Sequence, residues 1–218
     1  MDQPDRLYCA DHHFFHEGIL THCAESRPFD NVSQMNEYMI EAHNARASNS
    51  TDVYILGDFA CGHKLDGAQI RKVFEKLKGR KHLIIGNHDE KNQDILGLRW
   101  SSRPSFMKMV KDKDRSILLC HYALRSWPGL FYDAYHFYGH THGRLPSQGR
   151  SMDVGVDSWN LSPRTASEII ERMRNWNPDF ETYAPERKTL ITCAEENQPG
   201  EEYVPERRTD PEYNALRR

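Results

Sequence analysis

The chain has no CxxC pair, no surplus of basic charge, and no apolar run near the roughly 18 residues a membrane-spanning helix requires. Each absence narrows the reading. Lys and Arg number 29 against 32 Asp and Glu, a formal net charge of −3 with histidine neutral, which argues against a dedicated DNA-binding protein. The five cysteines (Cys9, Cys23, Cys61, Cys120 and Cys193) are odd in number and widely spaced, a pattern suited to reduced thiols acting as small hydrophobes in a cytoplasm. The N-terminus, MDQPDRLYCADHH, lacks a basic-then-apolar pattern, so no secretory signal is expected. What the chain does have is twelve histidines, gathered where glycine and aspartate also gather.

The local patterns alternate between strand and helix. Strands are expected at Arg6–Ala10, at Asp52–Leu56 (DVYIL), and at Leu83–Ile85, which opens into GNHDE. Met35, Met39, Ile40 and His43 share one face of a helix over about 33–46, and Ile70, Val73, Phe74 and Leu77 share one face of a second over 66–78. KDKD at 111–114 separates two apolar stretches and reads as a hairpin. His136–Tyr138 and Met152–Val156 read as further strands. Thr165 and Glu168, at capping-box spacing, open a last helix to about Arg174. This order predicts an α/β protein with two sheets covered by helices.

Five of these segments end alike. Asp11 and His13 follow the first strand, and Gly57-Asp58 the second. Gly86-Asn87-His88-Asp89 follows the third, and His121 the second strand of the hairpin. Gly139-His140-Thr141-His142-Gly143 completes the set. In an extended segment, residues two apart face the same side, so Asp11 and His13 are expected to converge. The donors are oxygen and nitrogen with no thiolate, which suits Mn, Fe, Zn, Co or Ni rather than a structural zinc.

In that order, D-x-H at 11–13, LGD at 56–58, GNHD at 86–89, His121 and GHTHG at 139–143 resemble the calcineurin-like metallophosphoesterases. DHHFFH, RPF at 27–29 and MDVGVDSWN at 152–160 resemble a small bacterial and phage branch of that family. The resemblance covers roughly residues 6–175. It implies a four-layer α/β/β/α sandwich of two mixed β-sheets flanked by helices, with two divalent metal ions at the strand ends. By motif, Asp11, His13 and His142 would bind one metal, Asn87, His121 and His140 the other, and Asp58 would bridge them. Two metals would neutralise a phosphodiester and lower the pKa of a bridging water, which would attack phosphorus in line. His88 would give the leaving oxygen its proton, and Asp89 would orient or charge the His88 imidazole. Asn87, His88 and Arg144 are candidate substrate contacts.

These implications favour a metal-dependent phosphodiesterase. A phosphomonoesterase or nucleotidase on the same site, and a catalytically silent scaffold, are the alternatives. Nucleotides, cyclic nucleotides and nucleic-acid ends are the candidate substrates, with no membrane partner. The GDxVDRG of protein Ser/Thr phosphatases is missing, since Asp58 is followed by Phe59-Ala60-Cys61-Gly62. The metallophosphoesterase domain is expected over 1–176. A charged extension, 177–218, holds five of the eleven prolines and the echo YAPERKT and YVPERRT, and reads as an arm over its own domain or a disordered tail, with a docking motif or oligomer arm as the sharper reading.

Overall fold

Each of the first three strands is followed by a helical segment, and that connection makes them run parallel. The computed structural model describes residues 4–62, 65–177 and 179–180. In chain order the elements are β1 (Arg6–Cys9), α1 (Ile19–His22), α2 (Val32–Arg46), β2 (Asp52–Leu56), α3 (Gly67–Lys76), β3 (Arg80–Ile84) and α4 (Gln93–Leu96). β4 (Met107–Asp112), β5 (Arg115–Cys120), β6 (Tyr135–Tyr138), β7 (Ser151–Asp153) and α5 (Ala166–Trp176) follow. Short 3₁₀ turns lie at Leu130–Tyr132 and Val156–Ser158.

The first sheet has the order β1-β2-β3 and the second β4-β5-β6-β7. The second sheet is mixed, because the hairpin makes β4 antiparallel to β5 while β5, β6 and β7 run parallel. The first is parallel throughout its named strands, and an isolated Tyr8–Arg164 bridge is its one antiparallel contact among the described residues.

Alternation along the strands builds the layers. Leu7, Cys9, Val53, Ile55, Leu83 and Ile85 face Met35, Met39 and Ile40 of α2 and Ile70, Val73 and Phe74 of α3. Tyr8, Tyr54, Leu56 and Ile84, on the opposite face, pack with Ile117, Leu119, Tyr135 and Phe137 of the second sheet. Ile169, Ile170 and Met173 of α5 join this inner layer. The fourth layer is thin: Trp127, Leu130 and Ala134 cover Leu118 from a loop whose single 3₁₀ turn is bounded by left-handed Gly129 and Asp133. Trp127 is therefore core, while Phe131 and Tyr132 are exposed.

The helix ends follow their caps. Asn31 accepts the Gln34 amide at the start of α2, and Thr165 and Glu168 form the expected capping box on α5. α3 stops at Lys76, earlier than expected, because Leu77 turns extended and is buried. No helix of the described residues is long and apolar enough to cross a membrane. The echo motifs of the extension and Cys193 lie outside the described residues.

Candidate metal centre

All five motifs leave the C-terminal ends of parallel strands: Asp11 after β1, Asp58 after β2, Asn87 after β3, His121 after β5, and His140 and His142 after β6. The structure gathers them into two groups. Asp11, His13 and His142 present donor atoms within 4.8 Å of one another, and so do Asp58, His121 and His140. Each group draws residues from the ends of both sheets. Asn87 Oδ1 lies 3.1 Å from His121 Nε2, which puts the amide beside the second group.

Asp58 links the two. Its Oδ2 is 3.5 Å from His13 Nε2 and 3.5 Å from His121 Nε2. Burial opposes its charge, but His121, the His88 amide and His13 outweigh that and hold the carboxyl at about 2. His121 answers in the opposite sense. Burial works against its charged form, yet Asp58, Asp11 and the Leu56 carbonyl push it up to about 9. The anionic floor therefore favours a cation at this position.

Several donors have their free atom chosen for them. His121 Nδ1 donates to the Leu56 carbonyl at 2.7 Å, turning Nε2 toward Asp58 and Asn87. His142 Nδ1 donates to Asp157 Oδ2 at 2.8 Å. His13 Nδ1 pairs with His16 Nδ1 at 3.1 Å, while its Nε2 is buried with no hydrogen-bond partner. Burial holds His13 well below the ordinary histidine value, with Asp58 opposing. A neutral, orphaned imidazole nitrogen facing carboxylates is the chemistry a divalent cation completes, so the residues fit metal.

The backbone is unusual here. Asp11 (φ 58°), His13 (φ 49°), Asp58 (φ 54°), His140 (φ 70°) and His142 (φ 49°) are all left-handed, a conformation that costs a non-glycine residue energy. The extended D-x-H expected from spacing is thus replaced by a turn. β1 pairing ends at Cys9, and Arg27 grips the carbonyls of Asp11 and His12 at 2.6 and 2.8 Å. His12 turns away and stacks on Phe14, 5.3 Å between ring centres.

Other carboxylates brace the loops. Asp11 Oδ1 and Oδ2 both accept the His140 amide, and burial, reinforced by Asp153, pushes its carboxyl up to about 8 against His121 and His142. Asp153 accepts from Thr141 and the Gly143 amide, holding the GHTHG loop. Asp89 departs from its expected role. Its oxygens accept the amides of Asp58, Phe59 and Gly86 at 2.8, 3.0 and 2.9 Å, so it clamps two loops and does not engage the His88 ring. His88 Nδ1 faces Cys61 Sγ at 3.2 Å instead, and its Nε2 is 4.0 Å from Asp58 Oδ2.

Gly57, at φ 88°, packs so tightly that a Cβ would overlap His121 and the Gly86 backbone. Arg144, an expected substrate contact, donates to the His22 carbonyl and lines a cleft with His142 and residues 21–26. Asp11, His13, Asp58 and His121 form a buried floor, whereas Asn87, His88 and His140 are exposed at the mouth.

The roles of Arg27, Asp153, Asp157 and Cys61 went unread in the sequence. RPF and MDVGVDSWN carried the first three as motifs without a job. The available signal was chemical: buried carboxylates near several histidines need a buried cation, and Arg27 is the arginine that meets Asp157.

No protein-family model matches the chain. An uncharacterised protein of Methanocaldococcus jannaschii is 26% identical over 169 residues, covering 74% of this chain and 87% of that protein. Among solved structures, a protein of unknown function from Aquifex aeolicus superposes with a TM-score of 0.59 and 22% identity, covering 77% of this chain and 98% of that one. YfcE, a phosphoesterase from E. coli, gives 0.37 at 18% identity, covering 69% and 77% of the two chains. Vps29 from Entamoeba histolytica gives 0.34 at 18%, covering 63% and 64%. The chain shares the fold of the Aquifex protein, a two-sheet α/β sandwich, and bears at its strand ends two His/Asp groups able to bind metal.

Proposed function

We propose that this chain is a metal-dependent phosphoester hydrolase that prefers phosphodiesters. One observation carries the reading: a buried Asp58 oxygen lies equally far, 3.5 Å, from an imidazole nitrogen of each of two neighbouring donor groups. Asp11, His13 and His142 would hold one divalent ion, and Asn87, His121 and His140 the other, with Asp58 shared between them. Bound there, such ions (Mn, Fe, Zn, Co or Ni) supply charge neutralisation for the phosphate and lower the pKa of a water.

The chain's own residues do the rest. Neutral imidazoles limit negative charge near an anionic substrate. Asn87, exposed at the mouth, offers its amide to a phosphoryl oxygen. His88 stands beside it, where its ring can hand a proton to the departing oxygen. In the cleft beside His142, Arg144 is the one Lys or Arg among the described lining residues and stands with Glu25 and Asp157, so the preference for diesters rests on the resemblance and is decided by the assay below.

The test is hydrolysis of bis-p-nitrophenyl phosphate against p-nitrophenyl phosphate by metal-stripped protein titrated with Mn²⁺. Faster diester turnover that rises with metal supports the reading, and a monoester preference moves it to a phosphatase. His88→Ala should lose turnover by roughly 10²-fold or more with metal content kept, while Asp58→Ala should lose metal. Full activity in both variants would end the assignment.

A further inference from the structure

His88 has an exposed ring, 38% accessible, yet its position is defined from two sides. Its backbone N–H donates to Asp58 Oδ1 at 2.9 Å, which fixes where the ring is rooted. Its Nδ1 lies 3.2 Å from Cys61 Sγ, which fixes where the ring points. The aspartate next in sequence has both oxygens committed to backbone amides, and it is Cys61 that lies at hydrogen-bond distance from Nδ1, with the His13 and His16 rings beside the imidazole.

Cys61 is itself held rigidly. Its N–H donates to the Phe14 carbonyl at 3.0 Å, one residue beyond the Phe14–Ala60 bridge. His13 and Phe14 in turn donate to the carbonyls of Asp58 and Phe59 at 3.0 and 3.1 Å. The thiol therefore rides on the same backbone lattice that carries Asp58 and His13. It also differs in setting from the other described thiols: Cys9, Cys23 and Cys120 are buried, whereas Cys61 is partly exposed beside His88.

We propose that Cys61 is a positioning residue for His88, holding Nδ1 so that Nε2 faces the floor of the site. This inference rests on the phosphoester-hydrolase reading above. The thiol donates and accepts weakly and carries no charge as S–H, so it aims the ring without fixing a carboxylate beside an anionic substrate. With Nδ1 engaged by sulfur, Nε2 is the nitrogen left for the departing oxygen. Burial, with Asp58 and Asp89 adding to it, raises the Cys61 thiol pKa and keeps the uncharged form.

The experiment compares Cys61→Ala, Cys61→Ser and His88→Ala, singly and as Cys61→Ala with His88→Ala. It reads kcat, KM and metal content on bis-p-nitrophenyl phosphate, and the ¹⁵N signals of the His88 ring in metal-free protein. Cys61→Ala should lower kcat roughly tenfold, with KM and bound metal unchanged, and should shift the Nδ1 signal. Cys61→Ser, whose hydroxyl makes the same bond, should recover most of the loss. In the His88→Ala background the cysteine change should cost nothing further.

Equal losses in the alanine and serine variants, or a further loss in the double variant, would overturn the proposal. So would unchanged His88 ring signals in Cys61→Ala. If the wild type hydrolyses no phosphoester with any divalent ion, the function above fails on its own, and the ring signals still decide whether Cys61 holds His88.

Discussion

Arg27 and Asp157 lock together in a buried two-pronged pair, Nε to Oδ1 and Nη2 to Oδ2, each at 2.8 Å. The same guanidinium grips the Asp11 and His12 carbonyls, and the same carboxylate accepts His142 Nδ1. One ion pair thus sets both a backbone turn and an imidazole of the first donor group. Asp157→Asn should weaken metal binding by roughly 10- to 100-fold, as loss of such outer partners commonly does. Mn²⁺ titration of the variant followed by calorimetry would measure it, and wild-type affinity would contradict this role.

Removing the cation is a harsher change than neutralising the anion. Arg27→Met leaves Asp157 charged and buried, and should destabilise the fold by roughly 3–5 kcal/mol. Urea unfolding of metal-free protein would show it, and a midpoint equal to wild type would refute it.

Gly57, together with Gly86, allows the tightest approach among the site's described glycines. Gly57→Ala adds a Cβ that overlaps His121 and the Gly86 backbone, at a residue with φ 88°. The strain of a left-handed alanine is roughly 1–3 kcal/mol before the overlap is counted. A lower melting temperature together with weaker metal binding is expected. Either effect alone would mean the overlap relaxes in one direction only.

Asp89 separates a structural part from a chemical one. Burial, resisted by the amides of Gly86 and Phe59, raises its carboxyl to about 6. Asp89→Asn keeps the shape but turns one acceptor oxygen into an NH₂ that faces backbone N–H groups. The expected loss is roughly 1–3 kcal/mol of stability per amide left unpaired. Thermal melting checks this, and a variant as stable as wild type would refute the clamp.

Acid should act through His43, which belongs to neither donor group. Its Nε2–H donates to the Lys78 carbonyl, and burial pushes its pKa down from 6.5 to about 4. The unfolded chain takes up this proton below about 6.5 and the folded one only near 4. Stability from the neutral ring is therefore present at neutral pH and is lost as pH falls through that window. His43→Gln removes the titration. Between pH 7 and 4, the metal-free wild type should lose up to roughly 3 kcal/mol more than the variant. Parallel urea curves for the two proteins would contradict it.

What could be read from the sequence was whatever is decided locally. DVYIL is a strand over its full expected length, the 111–114 hairpin turns where KDKD places it, and Thr165 with Glu168 caps α5 as spaced. The donors gather because each motif marks a strand end, and parallel strands put those ends on one side. The hidden parts are contacts between distant segments. Asp89 meets Asp58 and Phe59 across about 30 positions, and Arg27 meets Asp157 across 130. The left-handed Asp11 and His13 were invisible because that conformation is imposed by neighbours and not by their own side chains. The loop after His121 also split, with Trp127 turned inward and Phe131 and Tyr132 outward, since it has no regular period to read.

Because each donor group takes residues from both sheets, the apolar filling between the sheets is a gauge of the site. Tyr8 meets Phe137 edge-on there, their ring centres 5.1 Å apart, and neither side chain belongs to a donor group. Thinning or thickening that filling shifts one half of each group against the other while every polar contact within a sheet survives. Reactivity would then drift before the fold gave way. The geometry of the candidate metal centre depends, by this route, on residues that belong to neither donor group.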